Sequence, residues 1–131
     1  MATYLWIGLG SALGGMARYW GSDIVARFLG YTFPWGTLLV NVSGSLIIGF
    51  FAVITGPDGR MFVGETAKQF VMIGVLGGYT TFSAFSLQTM VLVQDGEWLH
   101  AGANVVASVV LCLAAVWVGH LLAVNLNAVR L

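Results

Sequence analysis

A chain of 131 residues that is 59% hydrophobic and 8% charged cannot cover a water-facing surface, since a soluble domain carries about 25% charged residues. Its mean hydropathy of +0.92 indicates an integral membrane protein. Zero net charge leaves no basic patch for nucleic acid, and the single cysteine, Cys112, excludes an internal disulfide.

The expected fold is all-α, one domain over residues 1–131. Four spans, at residues 4–20, 34–54, 70–93 and 98–122, each approach or exceed the ~20 residues that cross a hydrocarbon core. The first opens on "MATYLWIGLGSALGG", which lacks a cationic stretch and so reads as a retained span rather than a cleaved leader. It holds Gly10 and Gly14 in GxxxG spacing, a close-packing face. Arg18 ends it, either snorkelling to headgroups or making a vestibule positive for anions. Pro34 suits the first turn of the second span. There "WGTLLVNVSGSLIIG" places Thr37, Asn41, Gly44 and Ser45 on one face. Residues 55–69, with four charges and the second proline, form a surface loop.

"QDGE", residues 94–97, is a tight turn into the fourth span, where Asn104, Ser108 and Cys112 recur every four residues. Small and polar residues of this kind are the usual glue of membrane helix pairs. An unpartnered amide in hydrocarbon costs several kcal/mol, so a neighbouring helix, water or an ion must satisfy Asn41. Cys112 reads as apolar filler. His100 and His120 sit near the ends as interfacial anchors. Trp98 and Trp117 lie 19 positions apart, about 28 Å along a helix. That separation suits aromatic belts at both interfaces, with packing as the alternative.

The charges exclude more than they assign. No Asp, Glu, Lys or Arg falls in the middle of a span, whereas proton-coupled carriers need a titratable group at depth. A passive path or a purely structural role remains. With both termini on one side, Arg60, Lys68 and Arg130 oppose Arg18 and Arg27. Three against two is a weak orienting bias. Copies inserted both ways then pair as an antiparallel homodimer.

The third span contains "GVLGGYTTFSAF", whose residues Gly77 to Thr81 interrupt an apolar run. Two glycines at ~1 kcal/mol each, followed by two β-branched residues, predict a helix broken at mid-membrane. A close-packing kink is the plainer reading. Unwound backbone at that depth must be buried in protein or line a wet cavity. It offers carbonyls to a cation, and the following helix start offers N–H donors to an anion. Phe82 and Phe85 share a face. Their rings are either core or, turned edge-on, a cradle for a small anion.

"GGMARYW", "WGTLLVNVSGSLIIG" and "GVLGGYTTFSAFS" resemble the signature segments of the Fluc-type (CrcB) fluoride channels, and the likeness extends over all four spans. The resemblance implies a dual-topology antiparallel homodimer in a bacterial-type inner membrane, in contact with lipid. Its implied activity is passive export of fluoride through two pores, with a central structural sodium ion as cofactor. Carried to matching positions, it assigns backbone carbonyls of Gly77 and Thr80 to sodium, and Asn41 to the pore amide. Phe82 and Phe85 become an aromatic box, Thr81, Ser83 and Ser108 polar contacts, and Arg18 a vestibule residue. Ala84 stands where the family often has threonine or serine, and Asn104, also placed at the pore, stands where many members have tyrosine. Two rivals are a small multidrug transporter, which needs a carboxylate in the first span, and a non-conducting membrane assembly subunit. An enzymatic activity is not expected.

Overall fold

A computed structural model describes residues 1–129; Arg130, used above to weigh orientation, lies outside the described residues. Helix α1 spans Ala2–Leu29, α2 Trp35–Ile54, α3 Glu65–Gln69, α4 Gly77–Tyr79, α5 Phe82–Gln94 and α6 Trp98–Ala128. A π-helical segment, Phe70–Leu76, joins α3 to α4. No strand occurs among the described residues.

Three passages are long and apolar enough to cross a membrane: Trp35–Ile54, Glu65–Gln94 and Trp98–Ala128. The expected count was four. Helix α1 has ample length at 28 residues, but its glycines, Arg18, Asp23 and Arg27 dilute its hydropathy. It also runs nine residues beyond the expected end at Trp20. Asp23 and Arg27 are ion-paired at 2.6 Å across one helical turn, a spacing that supports a polar helix end. The third passage likewise starts at Glu65, inside the expected loop, where Gln69 Nε2 donates to Glu65 Oε1 at 3.2 Å. The turn before α6 is tight because Gly96 adopts φ 77°, a conformation open to glycine.

Packing is inside out relative to a soluble protein. The buried residues of α6 are Ala101, Asn104, Ser108, Ala115, Gly119 and Ala123, one small-residue face. Its leucines and valines point outward. Without water there is no hydrophobic force between helices in lipid, so close backbone approach and dispersion must hold them. The glycines permit that approach. A Cβ added at Gly119 would strike Leu46 O, and one at Gly49 would strike Val116 O, which brings α2 and α6 together. Gly10 and Gly14 meet Gly74 and Gly78 in the same way: their added Cβ atoms would hit Phe70 O and Val75 O, and that of Gly78 would hit Ser11 O. Two GxxxG pairs therefore face each other between α1 and the third passage. Trp98 and Trp117 are 68% and 62% exposed, so packing within the chain does not explain them.

The end opposite the turn at Gly96 is closed by the loop between α2 and α3. Arg60 Nη1 donates to Leu126 O at 2.9 Å, and its backbone N–H donates to Asn127 Oδ1 at 3.2 Å. A cation is thereby fixed at the C-terminus of α6, where the helix dipole favours it.

The glycine contacts set a test. Gly14→Ala drives a Cβ into Val75 O, whereas Gly102→Ala meets nothing within 4 Å. Overpacking of this kind costs about 2 kcal/mol. Thermal unfolding in detergent should show a clear loss for Gly14→Ala and none for Gly102→Ala.

Candidate functional site

The interruption in the third passage falls on the threonines. Gly77 has helical φ −65° and Gly78 belongs to α4, while Thr80 (φ −83°, ψ 159°) and Thr81 (φ −154°, ψ 122°) are extended. The sequence placed the cause first in the glycines and then in the β-branched pair after them. Gly78 serves close approach to α1, and the β-branched pair takes the extended backbone that such side chains favour.

Asn41 of α2 holds the interruption. Its Oδ1 accepts from the Thr81 N–H at 2.8 Å and its Nδ2 donates to Thr81 O at 2.9 Å. One amide thus pairs with one peptide as a neighbouring strand would. The Thr81 N–H is the donor that an unbroken helix would give to Gly77 O, so that carbonyl loses its usual partner. Gly44, one turn after Asn41, leaves the space: a Cβ there would strike Thr80 Cγ2 and the Tyr79 ring. The Tyr79 hydroxyl in turn hydrogen-bonds with Ser43 Oγ at 3.0 Å.

Two side chains close the ends. Arg18 Nη1 donates to Thr80 O at 3.3 Å, a cation on a carbonyl at a helix C-terminus. Thr81 Oγ1 accepts from Ala84 N at 3.1 Å and so caps α5. Ser83 Oγ lies 3.2 Å from the same hydroxyl. The N–H groups of the first turn of α5 point back toward the interruption, where the helix end is partially positive.

Around this point lies a cavity of about 420 Å³. Among the assigned residues, Asn41, Gly77, Thr80, Thr81, Phe82, Phe85 and Ser108 line it. Among the described residues no Asp, Glu, Lys, Arg or His does. The two rings are 5.2 Å apart and tilted by 52°. They differ sharply in setting, since Phe85 is 8% exposed and Phe82 77%.

Three assigned residues stand outside the cavity lining. Ser83 reaches it only through Thr81, and Arg18 only through the Thr80 carbonyl. Asn104 lies between α5 and α6, 2% exposed, with Nδ2 donating to Thr89 Oγ1 at 2.9 Å. Its amide is turned toward α5 instead, where Thr89 receives it. Thr89 had no place in the sequence reading. Its signal was the spacing Thr81, Phe85, Thr89, one residue per turn on one face of α5.

Asn41→Leu should therefore unmake the interruption rather than merely alter a surface. Both Thr81 groups lose partners, at about 1–3 kcal/mol for each that stays buried. Hydrogen exchange at the Thr81 amide should accelerate and thermal stability fall. Unchanged protection at Thr81 would contradict the pairing.

Comparison with known proteins agrees with these features. Residues 5–120 match the family model described as CrcB-like protein, Camphor Resistance (CrcB). A protein of Opitutus terrae named fluoride-specific ion channel FluC is 62% identical over 130 residues, covering 99% of this chain and 98% of that one. Proteins of the same name from Methylocella silvestris and Rhodospirillum rubrum are each 58% identical, over 127 and 125 residues. The first covers 97% of both chains, the second 95% of this chain and 97% of its own. With three apolar passages long enough to cross a bilayer, the chain is a multi-pass protein of a bacterial-type inner membrane. It belongs to the CrcB-like family.

Proposed function

We propose that this chain conducts fluoride passively, as an antiparallel dual-topology homodimer with two pores, α1 serving as a fourth span and the interruption lying at mid-membrane. One observation carries the reading. The cavity at the interruption is lined by an amide, hydroxyls and phenyl rings set among aliphatic side chains such as Ile48, Leu76 and Leu113, and among the described residues no carboxylate, amine, guanidinium or imidazole lines it. Fluoride is small and tightly hydrated, so a path must replace its water donors. Asn41 Nδ2 has a second N–H beyond the one given to Thr81, and Thr81 and Ser108 supply hydroxyls, while the Thr80 hydroxyl gives its proton to Leu76 O at 2.9 Å. Ring edges carry partial positive charge. Neutral donors bind weakly enough, in series, for the ion to leave as well as enter. An inside-negative potential supplies about 2.3 kcal/mol per 100 mV for an outward-moving anion. No bond is made or broken. The relatives' printed name, fluoride-specific ion channel, supports the same ion.

The dimer reading draws support from Gly77 and Phe82. Within one chain a Cβ on Gly77 meets only Met72 O at 3.7 Å, and its φ is helical. Neither packing nor backbone conformation in the single chain requires glycine there. Close approach of a second copy does. Phe82, 77% exposed beside the cavity, would then reach a pore shared with the partner.

A structural sodium ion fits the same place. Gly77 O has lost its usual donor, and Thr80 O keeps one lone pair beyond the Arg18 contact. Two copies would present four such oxygens to a hard cation, which supplies a fixed positive charge and a cross-link. The multidrug-transporter rival needs a carboxylate in the first span. Helix α1 offers only Asp23, near its end and paired to Arg27.

Liposomes loaded with fluoride test the reading. Rapid efflux, electrically driven and indifferent to a pH gradient, is expected; absence of flux leaves the assembly-subunit rival. Phe82→Ile and Phe85→Ile should each slow efflux roughly tenfold, the factor for losing ~1.4 kcal/mol of ring-edge interaction. For sodium, Thr80→Val should preserve the sodium dependence of flux because the proposed ligand is a main-chain oxygen. Gly77→Val should abolish that dependence. Equal loss from both would rule out backbone coordination.

A further inference from the structure

We propose that Asn104 and Thr89 form a positioning pair that fixes the rotation of α5, and with it the Phe85 ring, so that they set how strictly the path excludes larger halides. The proposal rests on the channel reading above.

Helix α5 cannot inherit its rotation from the helix before it. Two extended residues separate them, and extended backbone transmits no helical register. Its orientation must come from lateral attachments. Polar attachments to other helices lie at two points: Asn41 grips Thr81 at the N-terminus, and Asn104 grips Thr89 two turns later. Phe85 lies midway. Residues 81, 85 and 89 follow one another at i, i+4, so both grips and the ring share one face.

The hydrogen bonds at Thr89 are mutually consistent. A hydroxyl has one proton. Thr89 Oγ1 gives it to Phe85 O at 2.8 Å, which leaves its lone pairs to receive the Asn104 amide at 2.9 Å. The chain Asn104 to Thr89 to Phe85 O therefore ends on the backbone of the ring-bearing residue itself. Asn104 is 2% exposed and its second polar atom, Oδ1, faces Ser108 Oγ at 3.5 Å, too long to hold it strongly. Rotation of α5 away from this register would strand a buried amide, a penalty steeper than that for an apolar contact sliding past another. Asn104 does not itself line the cavity, and its one contact with a lining residue is the long one to Ser108. Its action on the path runs through α5.

The test uses the full-length protein in liposomes with Asn104→Leu, Thr89→Val, their combination, and the exchanged pair Asn104→Thr with Thr89→Asn. The readouts are fluoride efflux, the fluoride-over-chloride permeability ratio, and the ¹⁹F resonance of a fluorinated phenylalanine incorporated at position 85. Each single variant should lower the permeability ratio roughly fivefold, the factor one net hydrogen bond is worth, and shift the resonance. The double variant should do no more than either single, since both remove one interaction. The exchanged pair should recover much of the ratio. An unchanged ratio with an unmoved resonance in the single variants overturns the proposal, as do strictly additive losses. If the unmodified protein passes no fluoride, the channel reading fails. The resonance then decides the positioning pair independently.

Discussion

The pairing of the Asn41 amide with the Thr81 peptide is the interaction on which the arrangement turns. Extended backbone among apolar helices carries polar groups that neither water nor helical neighbours can serve, and such groups are tolerated only where the protein itself satisfies them. Thr81 presents an N–H and a C=O on the same side, and Asn41 answers both, at 2.8 and 2.9 Å. Aspartate would accept without donating, and serine lacks the reach for both. An asparagine is the shortest side chain with a complementary donor and acceptor. Once Thr81 is held, α5 can begin afresh with a cap from the Thr81 hydroxyl, and the carbonyl of Gly77 is released from helical duty.

Glycine packing makes that pairing geometrically available. Asn41 is a short side chain and reaches Thr81 only because the third passage lies close to α2, where Gly44 leaves room for Thr80 and Tyr79. On the other side, Gly10 and Gly14 bring α1 against the π-helical segment and Gly78. The wide turn of a π-helix is poorly packed in isolation and tends to mark functional sites. Here its backbone lies directly against the glycines of α1. Arg18, one turn beyond Gly14, then stands within reach of Thr80 O. The guanidinium offsets the partial negative charge at the end of α4 without entering the cavity.

The sequence disclosed the parts that follow from composition and local periodicity. Apolar runs gave the passages at α2, the third passage and α6, and the run of glycine, threonine and serine located the interruption to within a few residues. It weighted the glycines above the β-branched pair, because glycine has two uses in lipid. Low propensity for helix is one, and permission for close approach is the other; only the neighbours of Gly78 decide between them, and they lie about 67 residues earlier in the chain, at Ser11. The π-helical register of Phe70–Leu76 has no local signature, as it arises where that segment meets α1. The extent of α1 was lost for a different reason. Its last turns are polar, and an ion pair such as Asp23–Arg27 extends a helix without extending its hydropathy. Asn104 was placed at the pore by analogy of position, and within the single chain its amide bonds to Thr89, a partner that the sequence does not single out.

Among the described residues, the cavity lining carries no carboxylate, amine, guanidinium or imidazole. A lysine or arginine lining it would bind a small anion strongly, and the strength that admits an ion also retains it. The chain does hold one cation close by, yet the Arg18 guanidinium is engaged at Thr80 O rather than in the lining. What faces the cavity is the start of α5, whose Ala84 N–H is capped by the Thr81 hydroxyl, with the partial positive charge of a helix end. That charge is fractional, fixed in direction and carried by backbone, so it does not titrate and cannot swing away. Its aim depends only on the rotation and tilt of α5. Under the positioning proposal, selectivity becomes a matter of how firmly one 13-residue helix is held, and the two asparagines bonded to it, Asn41 and Asn104, belong to helices α2 and α6 that pack closely against each other at Gly49 and Gly119.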